Sequence, residues 1–274
     1  KRLGITLSNE EFEREHLQIP EGASLSTTGT SIFDPVICEL AYRWFCPPGG
    51  RVLDPFAGGS VRGVIASALD YEYTGVDLRA EQISANELQW AEIRSRLPGE
   101  HPDPKWIAGD SLDLPTLAPG KYDMAFSCPP YADLEVYSDD PKDISTMPYD
   151  EFMGVYSRII QHTVASLVAD SFIVWVVGDV REKKGGGAYH GFVPDTIRAF
   201  EDAGARYYNE GIIVSPIGSL AVRLGRQFSA GRKLGKTHQN LLVFVKGDPK
   251  KASKRCGEVQ VEIPVTGEDD DHPE

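Results

Sequence analysis

Val52-Leu53-Asp54-Pro55-Phe56-Ala57-Gly58-Gly59-Ser60 sets a short apolar strand against a proline, two adjacent glycines and the start of a helix. A strand that runs straight into a glycine turn and a helix opens a parallel α/β unit. Ligands of open α/β sheets sit outside the carboxyl ends of the strands, at turns of this type. Gly58 and Gly59 let backbone approach a ligand with no side chain in the way. By itself such a pair reads more readily as an ordinary tight turn, so the surrounding chain decides.

Working outward, residues 51–54 form the strand and 60–68 its helix. A strand over 71–76, a long helix over 79–96 and a strand over 105–108 follow. Strand 122–127 comes next, then helix 149–167, with Phe152, Val155, Tyr156, Ile159 and Ile160 on one face. Residues 171–177 are continuously apolar, as expected of a central parallel strand. Helix 193–203 and strands 206–214 and 239–245 complete the pattern. Upstream, 35–45 reads as a helix with Asp34 as N-cap and Pro35 in its first turn. The alternation predicts an α/β, doubly wound, mostly parallel sheet of seven strands. No internal repeat is present.

The chain has 274 residues, 41% hydrophobic and 25% charged, which excludes a fibrous or wholly disordered protein. Its longest strongly apolar stretch, 172–177, is too short to span a bilayer. The first residues, Lys1-Arg2, lead into no apolar core of signal-peptide length. Cys38, Cys46, Cys128 and Cys256 form no Cys-x-x-Cys pair, so neither zinc nor a disulfide framework is expected, and a reducing, cytoplasmic setting fits best. The net charge of −13 is unevenly spread. Residues 218–255 hold ten Lys/Arg and one Asp, whereas 133–151 hold seven acids and one Lys. A basic surface can attract phosphates while the remainder repels them.

Two acids repeat the placement of the glycine turn. Asp77 ends the second strand, in Thr74-Gly-Val-Asp77, where it can accept hydrogen bonds from ribose hydroxyls. Asp110, in Ala108-Gly-Asp110-Ser111, follows the third strand and can read an adenine amino group. Together they favour an adenosine-containing ligand. The turn lacks the Gly-x-Gly-x-x-Gly of NAD sites, reading Gly58-Gly59-Ser-Val-Arg-Gly63, and it lacks the Gly-Lys-Ser/Thr of a P-loop. A nucleoside without a pyrophosphate fits better, and S-adenosylmethionine is the commonest such cofactor.

Ser127-Cys128-Pro129-Pro130-Tyr131 ends the fourth strand. Two prolines remove backbone donors and fix the chain. The result is a rigid ledge of carbonyls with an aromatic ring beside it. An exocyclic amino group can donate to such carbonyls while its base stacks on Tyr131.

These motifs together resemble the amino-methylating DNA methyltransferases, which transfer methyl from S-adenosylmethionine to N6 of adenine or N4 of cytosine. The resemblance runs from Ser31 to Lys246. It includes Ser31-Ile-Phe33-Asp34-Pro35, similar to the family's cofactor-contacting segment, Val176-Val-Gly178-Asp179, and the closing Thr237-His-Gln-Asn-Leu-Leu-Val-Phe-Val-Lys246. It implies a Rossmann-like methyltransferase fold whose last strand is antiparallel. It also implies double-stranded DNA with a flipped base as substrate, S-adenosylhomocysteine as product, and a monomer or homodimer. Similar small enzymes are familiar from phages and prophages, some within restriction-modification systems. The implied catalytic residues are Cys128, Pro129, Pro130 and Tyr131. Phe33, Asp34, Asp54, Phe56, Gly58, Gly59, Asp77, Asp110 and Ser111 are the implied cofactor contacts.

Two departures stand out. The family carries Asp, Asn or Ser before Pro-Pro, and here it is Cys128, a poorer acceptor. Ser is usual in N4-cytosine enzymes and Cys is its closest steric match, which leans toward cytosine and leaves adenine open. The Cys-Pro order excludes the Pro-Cys nucleophile of C5-cytosine enzymes. The large target-recognition insert is also missing. Recognition then falls to loops 131–149, 180–192 and 215–239. The last carries Arg223, Arg226, Arg232, Lys233 and Lys236 for phosphates or guanine edges, with Tyr189 of the second loop placed to stack. The expected organisation is an N-terminal arm over 1–26, a methyltransferase domain over 27–247 and an acidic, disordered tail over 248–274. Two rivals share part of this pattern: an RNA or protein-glutamine amino-methyltransferase, and a non-catalytic nucleic-acid-binding protein that kept the fold.

Overall fold

The structure, a computed structural model, describes residues 33–131, 137–182, 186–214 and 220–259, without the side chains of residues 220–223 and 226. The expected N-terminal arm and the residues beyond 259 lie outside this set.

Helix α1 (Pro35–Phe45) precedes β1 (Arg51–Asp54), α2 (Val61–Ala68), β2 (Glu72–Asp77), α3 (Ala80–Arg94) and β3 (Lys105–Ala108). A one-turn α4 (Leu114–Leu117), β4 (Tyr122–Ser127), α5 (Tyr149–Ser166), β5 (Leu167–Val177) and α6 (Phe192–Asp202) come next. The chain continues through β6 (Arg206–Val214), α7 (Leu220–Gly231), β7 (His238–Lys246) and α8 (Pro249–Cys256). One seven-stranded sheet runs β3-β2-β1-β4-β5-β7-β6. Its strands pair in parallel from β3 through to β5, and β7 is antiparallel to both β5 and β6. The doubly wound sheet and the antiparallel last strand agree with expectation.

Strand order reverses between β1 and β4, so the crevice of the sheet opens where Asp54 and Ser127 end their strands. Each face carries its own core. On one, Leu53, Ala125, Ile173 and Trp175 pack under Phe152, Tyr156 and Ile160 of α5 and Phe192 and Phe200 of α6. On the other, Val52, Met124, Phe126, Phe172 and Val174 pack against Ala41 and Tyr42 of α1, Val64 of α2 and Trp90 of α3. The alternation along each strand follows from the two-residue side-chain period. Burial on both faces is why β5 reads as a continuous apolar run.

Two expectations are corrected. The segment 215–239, read as a loop, contains α7 and the first residues of β7. The tail read as disordered begins instead with α8. Asp248 caps that helix by accepting from the Lys250 and Lys251 amides, and Pro249 starts it. Ala252 and Cys256, one turn apart, are buried against the second core. Arg255 reaches the Asp123 carboxylate and the Asp170 carbonyl. Only two side chains face inward, so the apolar pattern of this helix is too sparse to see in a polar stretch.

Candidate active site

Asp54 closes β1 and is sealed from solvent. Its Oδ1 accepts from the Phe56 amide (3.1 Å) and the Ser127 hydroxyl (2.5 Å). Its Oδ2 accepts from Arg62 Nε (2.6 Å) and Tyr73 Oη (2.7 Å). Expected to face a ligand, Asp54 instead ties four elements together beneath the glycine turn. Arg62 Nη2 donates to the Phe56 and Ala57 carbonyls, at 2.6 and 2.9 Å. Burial works against its charge, but Asp54 and its neighbours outweigh that and lift the Arg62 pKa above the usual arginine value. The turn is therefore held from below by one buried carboxylate and one buried guanidinium.

Above that frame the turn is open. Gly58 has φ +51°, and a Cβ at Gly58 or Gly59 would meet nothing within 4 Å. The Gly58 amide donates to Asp77 Oδ2 (2.9 Å), and Asn86, on α3, donates to the Gly58 carbonyl (2.8 Å). The Arg79 amide donates to Asp77 Oδ1 (2.9 Å). Burial lifts the Asp77 pKa above its ordinary value, opposed by these donors and by the Arg79 charge. Gly63 serves packing: a Cβ there would come within 2.6 Å of the Trp106 ring, so α2 can lie this close to the sheet only with glycine.

Asp110 caps a 3-10 turn after β3, accepting from the Leu112 amide at 2.9 Å. Ser111 is buried and donates to the Pro55 carbonyl (2.5 Å), fastening the third strand end to the first. Asp34 caps α1, accepting from the Val36 amide (2.8 Å). Phe33 packs edge-on to Phe126 (5.6 Å) and lies under the Arg62 guanidinium (5.0 Å). Phe56 packs against Tyr156 and Trp175. Of the residues expected to contact a cofactor, Gly58, Gly59, Asp77 and Asp110 thus border the crevice at successive strand ends. Asp54 and Ser111 brace it, while Asp34 is exposed and caps α1. A polar diol and an amino group suit those two carboxylates, and close-packed backbone at Gly58–Gly59 suits a flat or chain-like neighbour.

At the end of β4, Pro129 is buried and Cys128, Pro130 and Tyr131 are half-buried. The Tyr131 ring lies tilted to Phe192 at 6.1 Å and beside Gly178, where a Cβ would sit 3.7 Å from its edge. Its hydroxyl lies 3.6 Å from Cys128 Sγ and accepts from Gln239 Nε2 at 2.7 Å. Burial, followed by the nearby Cys128, holds its pKa well above the ordinary tyrosine value.

Two of the loops expected to contact nucleic acid meet each other. Arg181 and Tyr189 pair across a hairpin, with the guanidinium 3.9 Å from the ring centre and Nη1 donating to the Gly187 carbonyl (3.0 Å). Lys233 lies against Gly187, and Lys236 Nζ stands 6.0 Å from the Tyr189 ring. Burial lowers the Lys236 pKa, and Asp179 opposes it. Arg232 covers Phe228 of α7 at 5.0 Å. Arg223 and Arg226 fall on α7, with side chains outside the described set. His190 stacks on Tyr149 at 4.3 Å, and Tyr149 donates to Asp195 (2.7 Å).

Sequence reading missed Arg62, Tyr73, Asn86, Gln239 and Arg181 as site residues. Arg62 alone left a signal, as a cation in the first turn of a helix otherwise small and apolar. Among the described residues no helix is long and apolar enough to cross a membrane. Cys38, Cys46 and Cys256 are buried free thiols.

No family model matches the chain, and no curated protein does. Solved structures do. TrmN from Thermus thermophilus superposes with a TM-score of 0.52 at 15% identity, over 80% of this chain and 51% of its own. An rRNA methylase from Streptococcus thermophilus gives 0.49 at 11% identity, over 80% of this chain and 100% of its own. Magnesium protoporphyrin IX methyltransferase (ChlM) from Synechocystis PCC 6803, solved with bound SAM, gives 0.45 at 15% identity, over 73% and 71%. The chain spans about half the length of the TrmN structure. At these identities the likeness is one of architecture: this chain has the Rossmann-like methyltransferase fold.

Proposed function

We propose that the chain is an S-adenosylmethionine-dependent methyltransferase acting on an exocyclic amino group of a DNA base, N4 of cytosine or N6 of adenine. The observation that carries this reading is the position of the Cys128–Tyr131 ledge. It ends β4, the strand bonded to β1 at the crevice, and Ser127 joins it to the floor of the glycine turn through Asp54.

Asp77 and Asp110 would hold the cofactor's hydroxyl and amino groups, with its chain along Gly58–Gly59. When bound, S-adenosylmethionine supplies a methyl group on a sulfonium centre. The carbonyls of the ledge accept the amino hydrogens of the target base. That localises on nitrogen the lone pair otherwise delocalised into the ring and directs it toward the methyl donor, while Tyr131, locked by its neighbours, fixes the base by stacking. Catalysis is then mainly positioning and local electrostatics. Arg181 of the hairpin, with Lys233 and Lys236 beside it, favours a polyanionic substrate, which supports nucleic acid over a small molecule.

Methyl transfer from labelled S-adenosylmethionine to DNA, RNA and protein, followed by mass analysis of nucleosides, tests the reading. N4-methylcytosine or N6-methyladenine is the expected product. Label appearing only in RNA or protein would replace the substrate and keep the chemistry. No label in any of the three would leave a binding protein.

A further inference from the structure

Gln239 is the second residue of β7 and Tyr131 follows β4, yet the Gln239 amide donates to the Tyr131 hydroxyl at 2.7 Å. A tyrosine hydroxyl carries a single hydrogen, while a glutamine amide nitrogen donates only. With Gln239 donating into the oxygen, the hydroxyl hydrogen is left for Cys128 Sγ, 3.6 Å away. Gly178 and Phe192 flank the Tyr131 ring. We infer that Gln239 is a positioning residue of the ledge, which fixes the Tyr131 hydroxyl as a hydrogen donor to the Cys128 thiol.

The consequences reach both members of the ledge. The ring plane of Tyr131 is set from a strand on the far side of β5, so the stacking platform is rigid before any base arrives. The sulfur of Cys128 is engaged as an acceptor. A thiol that receives a hydrogen bond forms its thiolate more easily than one that must donate. The same engagement leaves main-chain carbonyls to take the base's amino hydrogens, which explains how a thiol stands where a stronger acceptor is usual. The catalytic consequence rests on the methyl-transfer reading above, but the thiol chemistry does not.

The test is alkylation of the full chain by iodoacetamide, followed as the mass of the Cys128 peptide. Gln239→Glu keeps shape but can only accept, so it draws the hydroxyl hydrogen away from sulfur. Alkylation of Cys128 should slow at least about threefold near pH 8. Tyr131→Phe should slow it by a similar factor. Adding Gln239→Glu to Tyr131→Phe should then slow it no further, because the path through the hydroxyl is already gone. Cys38, Cys46 and Cys256 are buried and should stay unreacted in every variant, which reports an intact fold. An unchanged rate in Gln239→Glu overturns the inference. So does equal slowing in the Tyr131→Phe background, which would mean that the new charge acts on sulfur directly. Gln239→Glu should also lower kcat for methyl transfer with unchanged cofactor affinity. A wild-type chain that transfers no methyl yet shows the alkylation pattern keeps this inference and removes the functional one.

Discussion

Asp54 and Arg62 form an ion pair of 2.6 Å with side chains 0% and 6% exposed, directly under the glycine turn. A charge pair this deep brings little net stability of its own, but breaking it leaves one charge buried without a partner. Arg62→Met should therefore cost about 3–5 kcal/mol in urea unfolding, with Asp54 stranded. Asp54→Leu combined with Arg62→Met should cost less than the single variant. A loss below about 1 kcal/mol for Arg62→Met would show that the frame is not held this way.

Asp77 joins the turn to the second strand end. Asp77→Ala should weaken S-adenosylmethionine binding by about 1.5–3 kcal/mol, at least about tenfold in Kd, measured by calorimetric titration. Asp77→Asn should retain part of the affinity, because an amide oxygen still accepts from Gly58. Unchanged affinity in folded Asp77→Ala would remove this residue from the cofactor site.

The same residue sets a pH dependence. Its pKa is raised by burial, so it takes up its proton at a higher pH than an exposed aspartate. A protonated carboxyl loses the charge that strengthens its hydrogen bonds to hydroxyl groups. Cofactor affinity should be full above that pKa and fall as pH drops through it. Asp77→Asn should flatten the profile in that range; a profile identical to wild type would assign the titration to another group.

Tyr131→Ala should lower kcat about 100-fold or more, the scale of a mispositioned reactant, with cofactor Kd nearly unchanged. Cys128→Ser should stay active, since a hydroxyl accepts from Tyr131 better than sulfur does. Steady-state kinetics on methylated DNA products decides both, and a folded but inactive Cys128→Ser would give the thiol a role of its own.

Lys233 and Lys236 lie beside the Arg181–Tyr189 hairpin. If both contact phosphate, replacing both with Ala should make the log–log salt dependence of duplex binding shallower by up to about 2 units. Salt-titrated binding of wild type and double variant to one duplex reads this directly. Equal slopes would place the DNA surface elsewhere on the molecule.

Secondary structure was legible because its signal is local. The apolar run of β5, the Asp34-Pro35 start of α1 and the strand–glycine–helix passage at Asp54 each declare themselves within a few residues. Strands 105–108, 122–127 and 206–214 appear with the expected bounds. Helices α7 and α8 escaped because their signals are weak or misleading. Two arginines and Gly225 interrupt the apolar pattern of α7, and α8 buries only two small side chains in a polar tail.

The sequence by itself determined which residue types stand at each strand end: glycines after β1, acids after β2 and β3, and a double proline with tyrosine after β4. Hydrophobic periodicity and turn chemistry are properties of neighbouring residues, so no folded contact is needed to read them. Only the tertiary structure decided what those residues do. Asp54 points inward because Arg62, Tyr73 and Ser127 supply donors from three other elements. Tyr131 is fixed by Gln239, 108 residues away, because β7 inserts antiparallel beside β5. Such pairings depend on strand order and on the closeness of packing, and one-dimensional spacing carries neither.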